Sequence, residues 1–239
     1  MTASVAPHPV AGIIGGMGPE ATVDMMRRVI AATPADDDAD HVHMIVDCNP
    51  KIPSRIAALI EGTGASPSPE LCRMAKSLEA SGASFLAMPC NTAHAYFNDI
   101  QAAVKIPVLN MPELAAAHLA GLRPANERIG LLASTAVINT RLYDKIFDRI
   151  GLTAVYPQEQ AGLMEIIRGV KRGEVGPVAR DQFVQIASRL YRDQCDVLLI
   201  ACTELSVLAD ALGRTQKVVD ATDILVAEVI RRAKQAGGR

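Results

Sequence analysis

The chain has 239 residues, 49% hydrophobic and 21% charged, with a formal net charge of −2. That length suits one large α/β domain or two of about 100–120 residues, with enough apolar content for a real core. Aromatic residues make up 3% and Trp is absent; this argues against stacking platforms for single-stranded nucleic acid, and the charge balance leaves no basic footprint for DNA, RNA or anionic lipid.

Residues 1–12 lack the basic start and long apolar run of a signal peptide, and no run approaches the roughly 18 residues of a membrane helix. A cytoplasmic location is expected. Five cysteines, odd in number and scattered, are expected to be reduced, serving as packing residues or chemistry rather than bridges. There is no CxxC pair to support zinc, and no pattern marks a pyridoxal lysine or a phosphate loop. Activity without metal or cofactor is the expectation.

Val10–Gly15 reads as a buried strand ending in glycines. Gly16-Met-Gly-Pro19 is a turn, with Pro19 placed for the first turn of a helix running through Met25, Met26, Val29 and Ile30. Pro34–Asp40 is an acidic loop that reads as solvated surface. His41–Cys48 is the second strand, and the loop after it is stiffened by Pro50 and Pro53. A short helix over Ile56–Ile60 follows, then an amphipathic helix over Pro69–Ser81 closed by Gly82. A third strand runs from Phe85 to Cys90, a helix covers Thr92–Ala103, and a fourth strand covers Ile106–Met111.

The pattern then restarts. Arg128–Ala133 is a strand, and the helix around Asn139–Arg149 leads to a strand at Leu152–Tyr156. Helices over Leu163–Val170 and Val178–Gln194 precede the strand Asp196–Ala201. A short strand, Val218–Asp220, and a closing helix, Ala221–Ala236, end the chain. Alternating strands and helices mean parallel sheets with helices on both faces. Gly130 lies 118 residues after Gly12, and Cys202 lies 112 after Cys90; this nearly constant offset points to an internal duplication. The expected architecture is α/β, with two pseudo-symmetric parallel-sheet domains and a site in the cleft between them. The first domain is expected to comprise 1–107 plus a returning 218–239, and the second 108–217.

The duplication singles out Phe85-Leu-Ala-Met-Pro-Cys90-Asn-Thr and Val197-Leu-Leu-Ile-Ala-Cys202-Thr-Glu. Each is an apolar run that stops at a cysteine before a helix-like pattern. Ligands of parallel sheets sit beyond the carboxyl ends of the strands. A thiol there meets the positive end of a helix dipole; lowering its pKa from about 8.5 to about 7 takes about 2 kcal/mol. The N–H groups at Asn91-Thr92 and Thr203-Glu204 are placed to cradle a carboxylate. Two thiols across a cleft suit a two-base proton exchange, one removing a proton from a carbon atom and the other delivering one to the opposite face. Cys48 precedes a proline-rich loop and reads as structural or cleft-lining; Cys72 and Cys195 read as packing residues.

Four motifs carry a resemblance: Gly15-Gly-Met-Gly-Pro-Glu-Ala-Thr22, Asn49-Pro-Lys-Ile-Pro-Ser-Arg55, Cys90-Asn-Thr-Ala-His94 and Cys202-Thr-Glu204. From about Ala11 to Val229 the sequence resembles the aspartate/glutamate racemase family, which works without pyridoxal phosphate. Within it the chain looks most like the aspartate racemases, which keep both cysteines. The resemblance implies a homodimer with Cys90 and Cys202 as catalytic bases, and Asn91, Thr92 and Thr203 as binders of the α-carboxylate. Ser134 and Thr135 match the strand-end hydroxyls of the second domain, and Met17 matches the glycine-turn residue that touches substrate. Arg55 matches the arginine after the NP loop, whose planar fork suits a side-chain carboxylate; Lys171 is a second candidate cation. Asn49, His94 and Glu204 are further candidates, His94 as a tuner of Cys90 or an acceptor for the substrate ammonium, Glu204 as a helix cap or ammonium orienter. Two departures from the family pattern bear on substrate choice: Ser54 stands where an acidic residue is expected, and Lys51 where an amide is frequent.

The implied activity is cofactor-independent interconversion of L- and D-aspartate, or glutamate, with no nucleic-acid or membrane partner. Three other readings compete. Gly16-Met-Gly-Pro-Glu-Ala21 fits a dinucleotide-binding turn but leaves both cysteines unexplained. A related cysteine-dependent isomerase or decarboxylase of dicarboxylates keeps fold and thiols, and a non-catalytic amino-acid-binding protein keeps only the pocket.

Overall fold

The computed structural model describes residues 8–122, 128–192, 195–213 and 216–235. In chain order, β1 (Ala11–Gly15), α1 (Pro19–Ala32), β2 (Met44–Cys48), α2 (Ser68–Ala80), β3 (Phe85–Ala87), α3 (Phe97–Ala103) and α4 (Met111–Gly121) make the first half. The second half holds β4 (Arg128–Ala133), α5 (Thr135–Asn139), α6 (Asp144–Asp148), β5 (Thr153–Val155), α7 (Gln160–Lys171), α8 (Pro177–Arg192), β6 (Val197–Ala201), α9 (Thr203–Ser206), β7 (Val218–Asp220) and α10 (Ala221–Lys234).

The two sheets repeat one topology. The first runs β2-β1-β3 and the second β5-β4-β6-β7, with every pairing parallel. A lone parallel bridge from Leu86 to Val108 takes, beside β3, the place that β7 takes beside β6. Where a fourth strand over Ile106–Met111 is expected, only this bridge forms, and α4 starts at Met111. Pro107 has no N–H to give to a ladder, and the Asn110 side chain accepts the Glu113 N–H and caps α4.

Alternation along each strand sends side chains to two different cores. Ile13 and Leu131 enter a central core with Phe85, Ile129, Val197 and Leu199, covered by α4 and α10. Their neighbours Ile14 and Leu132 face outward, onto Leu71, Met74 and Leu78 of α2 and onto α7 and α8 respectively. The two halves therefore share one apolar interior. The segment expected to return to the first domain divides: β7 belongs to the second sheet, beside β6, while α10 packs against α1 and α4. Adding β7 to the second sheet lets Val218 and Val219 complete its edge. The end of the expected closing helix, Ala236, lies outside the described residues.

Arg28 of α1 ties the halves together on one side. Its guanidinium donates to Asp24, Asp220 and Asp223 and to the Ser206 carbonyl at the end of α9. No helix among the described residues is long and apolar enough to cross a membrane.

Candidate active site

Both sheets end, at their carboxyl edges, on one small cavity. Cys90 and Cys202 line it together, each 6% exposed. The first half adds Met17, Arg55, Asn91 and Thr92, and the second adds Ser134, Lys171, Thr203 and Glu204. Its volume is about 30 Å³, room for about one water. Ile56 and Ile167 give it an apolar wall, and Ser54 completes the rim; neither isoleucine is marked in the sequence as a contact residue, because apolar side chains in loops and helices carry no chemical signature.

The glycine turn is built to aim Met17 inward. The Thr22 hydroxyl accepts the Gly16 N–H at 2.9 Å and donates to the Gly18 carbonyl at 3.0 Å. Gly16 has φ of +92°, and a Cβ there would lie 2.3 Å from the Asn49 carbonyl carbon, so only glycine fits both the conformation and the space. Asn49 is spent on this packing and on its own loop: its amide donates to Glu70 at 2.6 Å and its oxygen accepts the Lys51 N–H. It does not line the cavity.

Among the described residues, three side-chain hydrogen bonds cross between the halves around the cavity. Thr92 and Ser134 share one at 3.0 Å, the Thr203 hydroxyl donates to the Pro89 carbonyl at 3.1 Å, and the Tyr143 hydroxyl donates to Asn91 Oδ1 at 2.6 Å. Tyr143 has no motif to reveal it in the sequence.

The surroundings of the two cysteines differ from the expectation of strong helix ends. Cys90 leads into a single 3₁₀ stretch, Thr92–Tyr96, and Cys202 is the N-cap of the one-turn helix α9. The Cys202 thiol donates to Glu204 Oε2 at 3.1 Å. Burial, followed by the charge and hydrogen bond of Glu204, pushes this thiol well above its ordinary range, against Lys171 and the Glu204 backbone N–H, which pull the other way. The lowering expected from a helix dipole is thus overturned at Cys202, because the sulfur is buried, a carboxylate stands beside it, and one turn of helix carries little dipole. Glu204 Oε1 in turn lies 3.4 Å from Lys171 Nζ.

Arg55 reaches the cavity with one guanidinium nitrogen on the Pro53 carbonyl. Thr135 is turned elsewhere, its N–H on Met164 sulfur and its hydroxyl accepting from Gln160. His94 is also absent from the lining. Its Nε2 accepts the Met111 N–H, which leaves Nδ1 to donate to the Cys90 carbonyl at 2.9 Å. Burial holds its pKa below 6.5, so His94 is a neutral strut behind Cys90, not an ammonium acceptor. Cys48 is exposed and outside the cavity, while Cys195 is buried and Cys72 partly buried in packing.

A duplicated α/β frame that brings a cysteine from each half to one polar cavity is the frame of a cysteine-dependent enzyme acting on a small acid. The family described as Asp/Glu/hydantoin racemase matches residues 14–229. The chain belongs to that family, and it is an isomerase, an amino-acid racemase. Its structure is similar to the aspartate racemase of Picrophilus torridus, at 32% identity and a TM-score of 0.85 with 94% of each chain covered. An aspartate racemase homologue from Pyrococcus horikoshii OT3 shares the fold at 22% identity and a TM-score of 0.71, covering 95% of this chain and 99% of the other. In sequence the chain is 25% identical over 236 residues to the broad specificity amino-acid racemase RacX of Bacillus subtilis strain 168, spanning 92% of this chain and 96% of that protein.

Proposed function

We propose that the chain interconverts L- and D-aspartate without a cofactor, with Cys90 and Cys202 acting on opposite faces of the α-carbon. The observation that carries this reading is the sharing of one cavity by both thiols with two cations, Arg55 and Lys171. Asn91 Nδ2, the Thr92–Ser134 hydroxyl pair and the Thr203 backbone N–H supply donors for the α-carboxylate, and Arg55 supplies a planar fork for the side-chain carboxylate. Cys202 starts as the protonated partner. When it must instead take the α-proton, its own proton moves to Glu204 Oε2, the acceptor already bonded to it. The cavity is too small for the substrate as it stands, so the cleft opens for entry and closes to exclude water from the carbanion.

The test is a panel of single-enantiomer amino acids in deuterated water, read for loss of optical rotation with uptake of α-deuterium. Aspartate is expected to lead. Aspartate left unchanged while another amino acid racemises removes the substrate assignment. A wider substrate range is the second reading, favoured by the apolar wall of Ile56 and Ile167 and by Ser54 at the rim; it predicts turnover of aliphatic amino acids at rates near that of aspartate. A homodimer and a cytoplasmic location belong to the same proposal. Five scattered cysteines, an odd number, fit a reducing compartment, and sedimentation equilibrium measures the assembly.

A further inference from the structure

The Asn91 side chain is 2% exposed, and its two polar ends are unequally provided for. Its oxygen accepts the Tyr143 hydroxyl at 2.6 Å, while its Nδ2 has no hydrogen-bond partner among the described residues. A buried amide N–H₂ without an acceptor is costly, and this one belongs to a residue that lines the cavity. Tyr143 explains why the cost is borne. Its ring is fully buried against Phe147, edge on at 5.6 Å, and burial raises its pKa so that the phenol keeps its proton. A buried O–H must donate, and Asn91 is the acceptor that the described residues offer it. Turning the amide over would put two donors face to face. The phenol therefore obliges Asn91 to present oxygen to Tyr143 and leaves nitrogen for whatever enters the cavity.

We propose that Tyr143 is a positioning residue for substrate carboxylate: from the second half of the molecule, it sets the amide orientation of Asn91 in the first, so that Nδ2 is held as a pre-aimed donor. The orphaned nitrogen is then a vacancy for one carboxylate oxygen. Because the bond crosses the cleft, this donor is correctly oriented only when the two halves are together.

The inference rests on the aspartate reading for its kinetic arm alone. In the full chain, Tyr143→Phe is expected to raise KM for aspartate about 10-fold or more, the loss of one hydrogen bond to a charged group, with a smaller change in kcat. In an Asn91→Ala background the same substitution should leave KM where it was. A wild-type KM in Tyr143→Phe, or an equal rise in both backgrounds, overturns the proposal; a purely structural role lowers thermal stability without this split. The second arm needs neither turnover nor a variant at Tyr143. With ¹⁵N-labelled asparagine, the Asn91 side-chain resonance, assigned by its loss in Asn91→Ala, is followed while malonate is added. It should shift and saturate. An unmoved resonance overturns the proposal, whereas a shift in a protein that leaves aspartate unchanged supports it and refutes the substrate assignment alone.

Discussion

Replacing Glu204 with Gln separates two effects that its carboxylate exerts on Cys202. As a charge, it holds the proton on the thiol. At 3.1 Å from the sulfur, a full carboxylate–thiolate repulsion at an effective dielectric of about 20 is about 5 kcal/mol, before Lys171 offsets part of it. As a base, under the proposed mechanism, the carboxylate would take that proton when Cys202 must become a thiolate. Glutamine keeps the volume and an accepting oxygen but removes both the charge and the proton affinity. The two effects carry opposite signs. Loss of the charge lets Cys202 ionise at lower pH, seen as a downward shift in the ultraviolet thiolate titration. Loss of the base slows turnover, by about 100-fold at the low end of general acid–base effects. Enantiomers are equally stable in free solution, so kcat/KM must fall equally in both directions; an unequal fall exposes a faulty assay. The assay is polarimetric racemisation across pH beside the thiolate titration. Turnover that stays level or rises in Glu204→Gln, while the thiol acidifies, refutes the proton-acceptor role and leaves Glu204 as a charge alone.

Cys90→Ala and Cys202→Ala should each abolish racemisation; normal turnover in either, by polarimetry, removes that residue from the mechanism. Gly16→Ala should destabilise the protein by about 1–3 kcal/mol or more, because φ of +92° strains any side chain and the Cβ would meet the Asn49 backbone; an unchanged urea midpoint contradicts this. For His94, the folded pKa lies below 6.5 through burial, so between the two pKa values the unfolded chain binds the extra proton. Its share of stability is present above pH 6.5 and is lost as pH falls towards the folded value. His94→Gln should flatten that part of the curve of urea stability against pH, and an identical slope in both proteins would show that His94 does not titrate there.

The repeated order of strands is legible because each half carries the same features, an apolar strand containing a glycine, Gly12 or Gly130, and an apolar run that stops at a cysteine, at nearly one spacing. Buried parallel strands demand continuous apolar runs, and Val197–Ala201 supplies one without interruption. The fourth strand was misjudged because Ile106–Met111 is apolar enough for a strand, while the stop lies in Pro107 and in the Asn110 cap. Of the returning segment, β7 departs from the expectation because it is three residues long, too short for its apolar pattern to show which sheet it joins. Cysteines, arginine and small polar residues at strand ends named most of the cavity. Asn49, His94 and Thr135 have the same chemical look, yet their hydrogen bonds are taken up by loop, backbone and helix. Which side chain faces a cavity depends on competition for partners, and sequence spacing does not record that competition.

The duplication also explains why the two sides of the cavity need not be chemically equal. Two residues after Cys202 stands Glu204, bonded to the thiol; two residues after Cys90 stands Thr92, whose hydroxyl is shared with Ser134. The backbone repeat places a sulfur at matching strand ends, but the acid exists on one side only. A racemase must use each base as both donor and acceptor over a full cycle of two directions. Under the proposed mechanism that requirement is met by unlike means: Cys202 would trade its proton with the carboxylate bonded to it, while Cys90 has the His94 ring on its carbonyl. The symmetry of the reaction constrains the overall energetics, and the two halves meet it with different residues.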